Sequence, residues 1–191
     1  MIHTLAIATL LTIAHTASAQ NWAEEPASVF GLKLGEPIAS SNIPACPPRD
    51  SRTGLPKTLC LERGPGPYAE TMATLNALPI NEAYSGTTHL TDGFVASLHI
   101  EVNHDNYAKF RAILVERYGK PTKAAVSTVT SNRGAVLPAE TLEWNGHNNR
   151  LQLFERFDRI DRSLAVFSNN ALVQKETEKR ANKIKDSASK F

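Results

Sequence analysis

Hydrophobic and polar residues alternate most cleanly between Phe94 and Val102. Phe94, Ala96, Leu98, Ile100 and Val102 fall on one side, and Val95, Ser97, His99 and Glu101 on the other. A period of two with five in-phase apolar positions predicts a strand with one buried face and one mostly wet face. Residues 84–90 are expected to pair with it as a hairpin through the turn Thr91-Asp92-Gly93. Residues 71–78 read as a further strand, stopped by Pro79. The period then changes. Tyr107, Phe110, Ile113, Leu114 and Tyr118 recur at spacings of three and four, which predicts a helix with one apolar stripe. Asn103 or Asp105 can cap its start, and Gly119 followed by Pro121 ends it. Four strands are predicted beyond it, at 124–130, 140–144, 150–157 and 163–167, turning at 131–134, at Asn145-Gly146 and at 158–162. A last helix starts near Ser168-Asn169-Asn170, with a thin stripe of Leu172, Val173, Ala181 and Ile184. This order predicts an α+β fold: an antiparallel sheet of hairpin, helix and meander, with one central helix packed on one face and a C-terminal helix.

The first part of the chain lacks such periodicity. Between residues 20 and 67 it is dense in Pro and Gly, and only Phe30-Gly31-Leu32-Lys33-Leu34-Gly35 alternates. Phe30, Leu32 and Leu34 on one face predict a short edge strand, ended by Gly35 and Pro37. Cys46 and Cys60 bracket a loop rich in Pro, Gly and charge. They are the only cysteines, and in an oxidising compartment an even count reads as a disulfide that staples this region. The competing use of two thiols in metal or redox chemistry calls for a C-x-x-C spacing, which is absent.

The extreme N-terminus supplies the compartment. Leu5 to Ala14 is an uncharged apolar run, and Ala17-Ser18-Ala19 has the small-x-small form of a signal-peptidase site. The expectation is a signal peptide over 1–19, cleaved after Ala19, and a soluble periplasmic product. The run is short of the roughly 20 residues that span a bilayer, no Cys follows it for lipid attachment, and no other segment reaches spanning length. The expected division is therefore signal peptide 1–19, stapled segment 20–67, α+β core 68–170 and charged tail 171–191.

Composition removes other classes. The chain is 41% hydrophobic with a net charge of +2, too apolar and too neutral for a disordered polymer, and without the basic footprint of a nucleic-acid binder. Neither phosphate-binding glycine motif occurs, so no nucleotide cofactor is expected, and no other cofactor is implied. The tail from Lys175 to Lys190 carries six basic residues against three acidic ones. It reads as a solvated helix, or as a surface for an anionic membrane or partner.

Chemistry-bearing residues are sparse. His99, Glu101 and His104 are the candidate metal ligands, because imidazole and carboxylate bind zinc and a strand can aim two of them at one ion. Their spacing matches no helical metalloprotease motif, and the plainer reading is a wet sheet face. Ser85, His89 and Asp92 hold the residue types of a nucleophilic triad, without a nucleophile elbow or a marked oxyanion site. Glu140, Glu143 and Glu155 lie on the meander, where cross-strand spacing can pair two carboxylates for glycosidase-type work, or simply leave them solvated. The amide-rich turn Asn145-Gly146-His147-Asn148-Asn149 is a hairpin tip that can also contact a protein or a glycan.

Two segments carry a resemblance. Phe30-Gly31-Leu32-Lys33-Leu34-Gly35-Glu36-Pro37 resembles the F-G-L-x-L-G opening of small exported bacterial proteins of unassigned function. Leu114-Val115-Glu116-Arg117-Tyr118-Gly119-Lys120-Pro121 is similar to their helix end, L-x-x-[KR]-Y-G-x-P. The strand with Trp144 and the apolar run Leu151 to Phe154 fit the same pattern. A fainter similarity is to the helix-on-sheet modules of outer-membrane assembly lipoproteins and secreted β-lactamase inhibitors, the lipoprotein version opposed by the missing lipid-bearing Cys. The resemblance implies a periplasmic α+β protein and assigns no catalytic residue. The expected function is a non-enzymatic protein-binding module, such as a periplasmic inhibitor, immunity factor or envelope-assembly factor. Its contact surface is expected around His99 and Glu101, or at Asn145, His147 and Asn148, and its partner is another exported or envelope protein. An envelope hydrolase or small-ligand binder is the alternative.

Overall fold

A computed structural model describes Trp22 and residues 25–48, 54, 56–83, 85–131 and 133–190. The signal-peptide reading of 1–19 lies outside these residues. The strands are β1 (Cys60–Arg63), β2 (Met72–Asn76), β3 (Ser85–Thr91), β4 (Phe94–Asn103), β5 (Lys123–Thr130), β6 (Val136–Asn145), β7 (Asn149–Phe154) and β8 (Arg162–Asn169). Helix α1 (Tyr107–Tyr118) lies between β4 and β5, and α2 (Asn170–Ala188) follows β8. All strands join one antiparallel eight-stranded sheet in the order β1-β2-β3-β4-β8-β7-β6-β5. The fold is α+β as the periodicity predicts.

Cross-strand rows show which face is buried. Leu98, Phe167, Leu151 and Trp144 stand side by side across β4, β8, β7 and β6, and Ile100, Ala165, Leu153 and Leu142 form the next row. All eight are buried on the inner face, where α1 adds Tyr107, Phe110 and Leu114. A single 3₁₀ turn at His104–Asn106 leads into α1, and the Asn103 side chain caps it by accepting from the Asp105 amide. Gly119, at φ 74°, ends the helix. Two indoles complete this end: Trp22 Nε1–H donates to the Tyr118 carbonyl at 3.0 Å and Trp144 Nε1–H to the Gly119 carbonyl at 2.9 Å. They satisfy carbonyls that a helix end would otherwise leave to solvent.

The N-terminal segment departs from expectation. Residues 30–34 do not form an edge strand. Phe30 and Gly31 both take positive φ, and Val29 and Leu32 exchange backbone hydrogen bonds across this tight turn. Leu32 and Leu34 still reach the core together with Val29 and Ile38, so the alternation recorded burial rather than extension. The missed strand is β1, directly after the Cys-bracketed loop. Cys46 and Cys60 form a disulfide, and the 44–46 backbone bonds to Leu61 on the outer edge of β1. A second correction concerns β4. Phe94 is 40% exposed and its neighbour Val95 only 1%, the reverse of the expected phase. The pairing slips by one residue between His89 and Leu90: Leu90 faces Val95, while His89 faces Ser97. The extra residue on β4 is a β-bulge that exchanges the two faces at that point.

Candidate functional site

The sheet face opposite α1 is open over much of its area, and α2 stands over one part of it. Between α2 and the strands lies a cleft of about 1030 Å³, lined on one side by Met72, His89, Ala96, Ser97 and His99 and on the other by Val173, Glu176, Thr177 and Arg180. A smaller hollow of about 370 Å³ adjoins it, bounded by Ser85, Thr87, Glu101, Phe157 and Leu164. Met72, His89 and His99 line both and form the wall between them.

Sheet register builds this wall. Met72 on β2 faces His89 on β3, and His99 on β4 faces Thr87, two residues from His89 on the same face. The imidazole centroids of His89 and His99 are 4.5 Å apart, with the rings tilted by 54°. Burial lowers the His99 pKa to about 4, with a further contribution from the charge of His89. Burial also lowers that of His89, helped by the positive charge of Arg180. Both rings are therefore neutral at neutral pH and carry nitrogen lone pairs.

The residues singled out in the sequence separate. Glu101 shares the outer face with His99 but pairs with Arg162 Nη1 at 2.7 Å. His104 lies at the entrance to α1, with Nε2 3.2 Å from Glu155 and its ring stacked on Tyr107. The sheet does not bring His99, Glu101 and His104 together. Among the described residues no group of three or more His, Cys, Asp and Glu gathers for a metal ion. Ser85 and His89 share the outer face, yet four residue steps along the strand separate them by roughly 13 Å, and Asp92 pairs instead with Lys175 at 3.0 Å. This constellation is no catalytic triad.

Of the three glutamates, Glu140 and Glu155 meet and Glu143 does not join them. Glu140 receives Arg111 Nε at 2.8 Å and the Tyr107 hydroxyl, which tie α1 to β6, while its own amide donates to Glu155. The Arg111 hydrogen bond holds the Glu140 pKa below its ordinary value, and burial followed by Glu140 raises that of Tyr107. A carboxylate held ionised in this way is a structural anion, unsuited to general acid catalysis. Glu143 lies on the outer face and accepts from Gln152 and Asn145.

The 145–149 tip is occupied from within. Glu25 accepts the backbone N–H groups of His147, Asn148 and Asn149, and the Asn170 side chain donates to the carbonyls of Gly146 and His147. Asn145, His147 and Asn148 thus belong to a joint between the N-terminal segment, a hairpin and the start of α2. The sheet edge at β5, next to β6, is more accessible. Six consecutive residues of β5, Lys123 to Thr128, are exposed, and Val126 and Val136 are 73% and 64% exposed.

Comparisons with protein-family models, curated proteins and solved structures give no match.

Proposed function

We propose that this chain is an exported, non-enzymatic protein-binding module of the inhibitor, immunity-factor or envelope-assembly kind. It takes an extended segment of another exported protein as an added strand along β5. The observation that carries this reading is the edge of β5, the last strand of the sheet, along which no described strand pairs. The Ser131 amide bonds to the Ala135 carbonyl, and the ladder alternates from that pair. The N–H and C=O groups of Ala124, Val126, Thr128 and Thr130 therefore point away from β6. Pro138, which cannot donate, lies opposite Thr128 and fits this phase. Beyond Lys123 the strand Ala-Ala-Val-Ser-Thr-Val-Thr contains no charge, proline or glycine, the devices that usually blunt an edge. The other edge is covered, since the 44–46 backbone lies along β1. Strand addition at β5 offers a partner about eight backbone hydrogen bonds, with exposed Val126 and Val136 to read its side chains. The Cys46–Cys60 disulfide fits an oxidising compartment. Among the described residues no helix is long and apolar enough to cross a membrane.

The test is a photo-reactive amino acid at position 126 in the producing cells, with position 108 on exposed α1 as the control, in the parent and in Thr128→Pro. The proline removes an outward N–H and leaves the β5–β6 bonds intact. The expected result is one discrete heterologous adduct from position 126, absent at 108 and lost at least tenfold in the proline variant, whose melting temperature stays within a few degrees of the parent. Adducts only with itself, or the same adducts from both positions, overturn the reading. The cleft beneath α2 favours a second reading, a small-ligand binder. It predicts protection of Met72 from oxidation by the ligand, with Thr128→Pro without effect.

A further inference from the structure

We propose that Met72, His89 and His99 form a binding site for one Cu(I) ion on the outer face of the sheet. The three residues come from adjacent strands, β2, β3 and β4, and register rather than loop geometry sets their spacing. Met72 and His89 are direct cross-strand partners, and His99 is a diagonal neighbour of His89. They alone line both hollows, so an ion held between them is reached from either side. A metal about 2.0–2.1 Å from an imidazole nitrogen lies about 3.2 Å from the ring centroid. Two such rings at bond angles of roughly 90–110° have centroids about 4.5–5.2 Å apart. The observed 4.5 Å falls in this range before any rotamer change.

The donor set decides the metal. Two imidazole nitrogens and a thioether sulfur are borderline and soft ligands, the combination that selects Cu(I) over Mg²⁺ or Ca²⁺. Both cysteines are consumed in the disulfide and offer no competing thiolate. Arg63, Lys179 and Arg180 line the larger hollow together with Glu70, Asp92 and Glu176, and Glu101 lies in the smaller, so the choice of metal rests on the softness of the donors and not on the surrounding charge. This site is independent of strand addition at β5, on the far edge of the sheet.

The experiment titrates the purified, disulfide-intact chain anaerobically with ascorbate-maintained Cu(I) against a chromophoric Cu(I) chelator. The variants are Met72→Leu, His89→Gln, His99→Gln and the tip control His147→Gln. The expected result is one Cu(I) per chain. Affinity falls at least tenfold in Met72→Leu and at least a hundredfold in either wall histidine variant, and is unchanged in His147→Gln. Copper X-ray absorption of the parent shows a sulfur neighbour at about 2.3 Å that disappears in Met72→Leu. Met72→Leu conserves side-chain volume at a half-buried position and keeps the test valid if a histidine variant melts early. Failure to draw Cu(I) from the chelator, or uptake that survives Met72→Leu with no sulfur neighbour in the parent, overturns the site.

Discussion

Replacing Trp22 by Ala tests whether the N-terminal segment is part of the core or only rests on it. Trp22 is 5% exposed. Its ring meets Tyr118 edge-on at 5.6 Å, its indole N–H donates to the Tyr118 carbonyl, and its backbone amide donates to the Asn145 carbonyl. Truncating a buried aromatic to Ala costs about 3–5 kcal/mol. For a chain of this size each kcal/mol lowers the melting temperature by about 2–4 °C, so Trp22→Ala is expected to melt roughly 6–20 °C below the parent. Trp22→Phe keeps most of the ring and loses the N–H donor. Leaving the Tyr118 carbonyl without it costs about 1–2 kcal/mol, a drop of roughly 2–8 °C. Thermal melts followed by circular dichroism give both numbers. Hydrogen exchange should also quicken at 123–126, because the end of α1 fixes where β5 begins. A Trp22→Ala protein melting within 3 °C of the parent, or a phenylalanine variant less stable than the alanine one, refutes the reasoning.

Two further outcomes follow from the inner face and the staple. Glu140 has a folded pKa below its ordinary value near 4.5 because of Arg111. It contributes stability that is present above pH 4.5 and lost as pH falls through the folded pKa. Glu140→Gln is expected to be less stable than the parent at pH 7 and to show a flatter decline below pH 4.5. Urea melts at pH 7 and 3 check this, and parallel losses contradict it. Converting Cys46 and Cys60 to Ser releases a 15-residue loop and should cost about 3 kcal/mol. The faster amide exchange should centre on β1 and spare α1, and uniform acceleration across the sheet would contradict a local staple.

The strands β2 to β8, α1 and the disulfide were legible because each rests on local information. Alternation at Leu98, Ile100 and Val102, a three-four stripe ending at Gly119, and a single cysteine pair specify them directly. The His89–His99 wall was not legible, and one residue explains why. A two-residue turn at Asp92-Gly93 without a bulge would put His89 opposite Ala96, and His99 would then project from the other face. The slip between His89 and Leu90 places His89 opposite Ser97 and brings both imidazoles to one side. Nothing in the spacing of the two histidines announces a bulge. The same slip explains the mistaken phase of Phe94. His104 failed as a partner for His99 because the chain leaves the strand at Asn103, and the 3₁₀ turn carries His104 to Glu155. β1 was missed because four residues are too few for a period, and its pairing with β2 depends on distant contacts.

The sheet order carries an internal regularity that accounts for the open outer face. β1 to β4 form a four-strand meander followed by α1, and β5 to β8 form another followed by α2, with β4 and β8 antiparallel at the seam. Two such halves related by a twofold axis normal to the sheet would place both helices on the same face. They do not lie that way. α1 packs its apolar stripe on the inner face, whereas Val173, Thr177 and Arg180 of α2 look onto His89 and His99 on the outer face. The N-terminal segment supplies the inner-face cover that a second packed helix would provide. Val29, Leu32, Leu34 and Ile38 join the core, and the Gly35 and Ile38 amides bond to the backbone of the β3–β4 hairpin. With its inner position taken, α2 needs no apolar stripe, and none of its residues is buried. Its first turns instead wall a cleft that would not exist if the helix had packed like α1. The Pro- and Gly-rich segment and the polar helix are thus two consequences of one substitution in the architecture, and the substitution exposes the Met72, His89 and His99 side of the sheet.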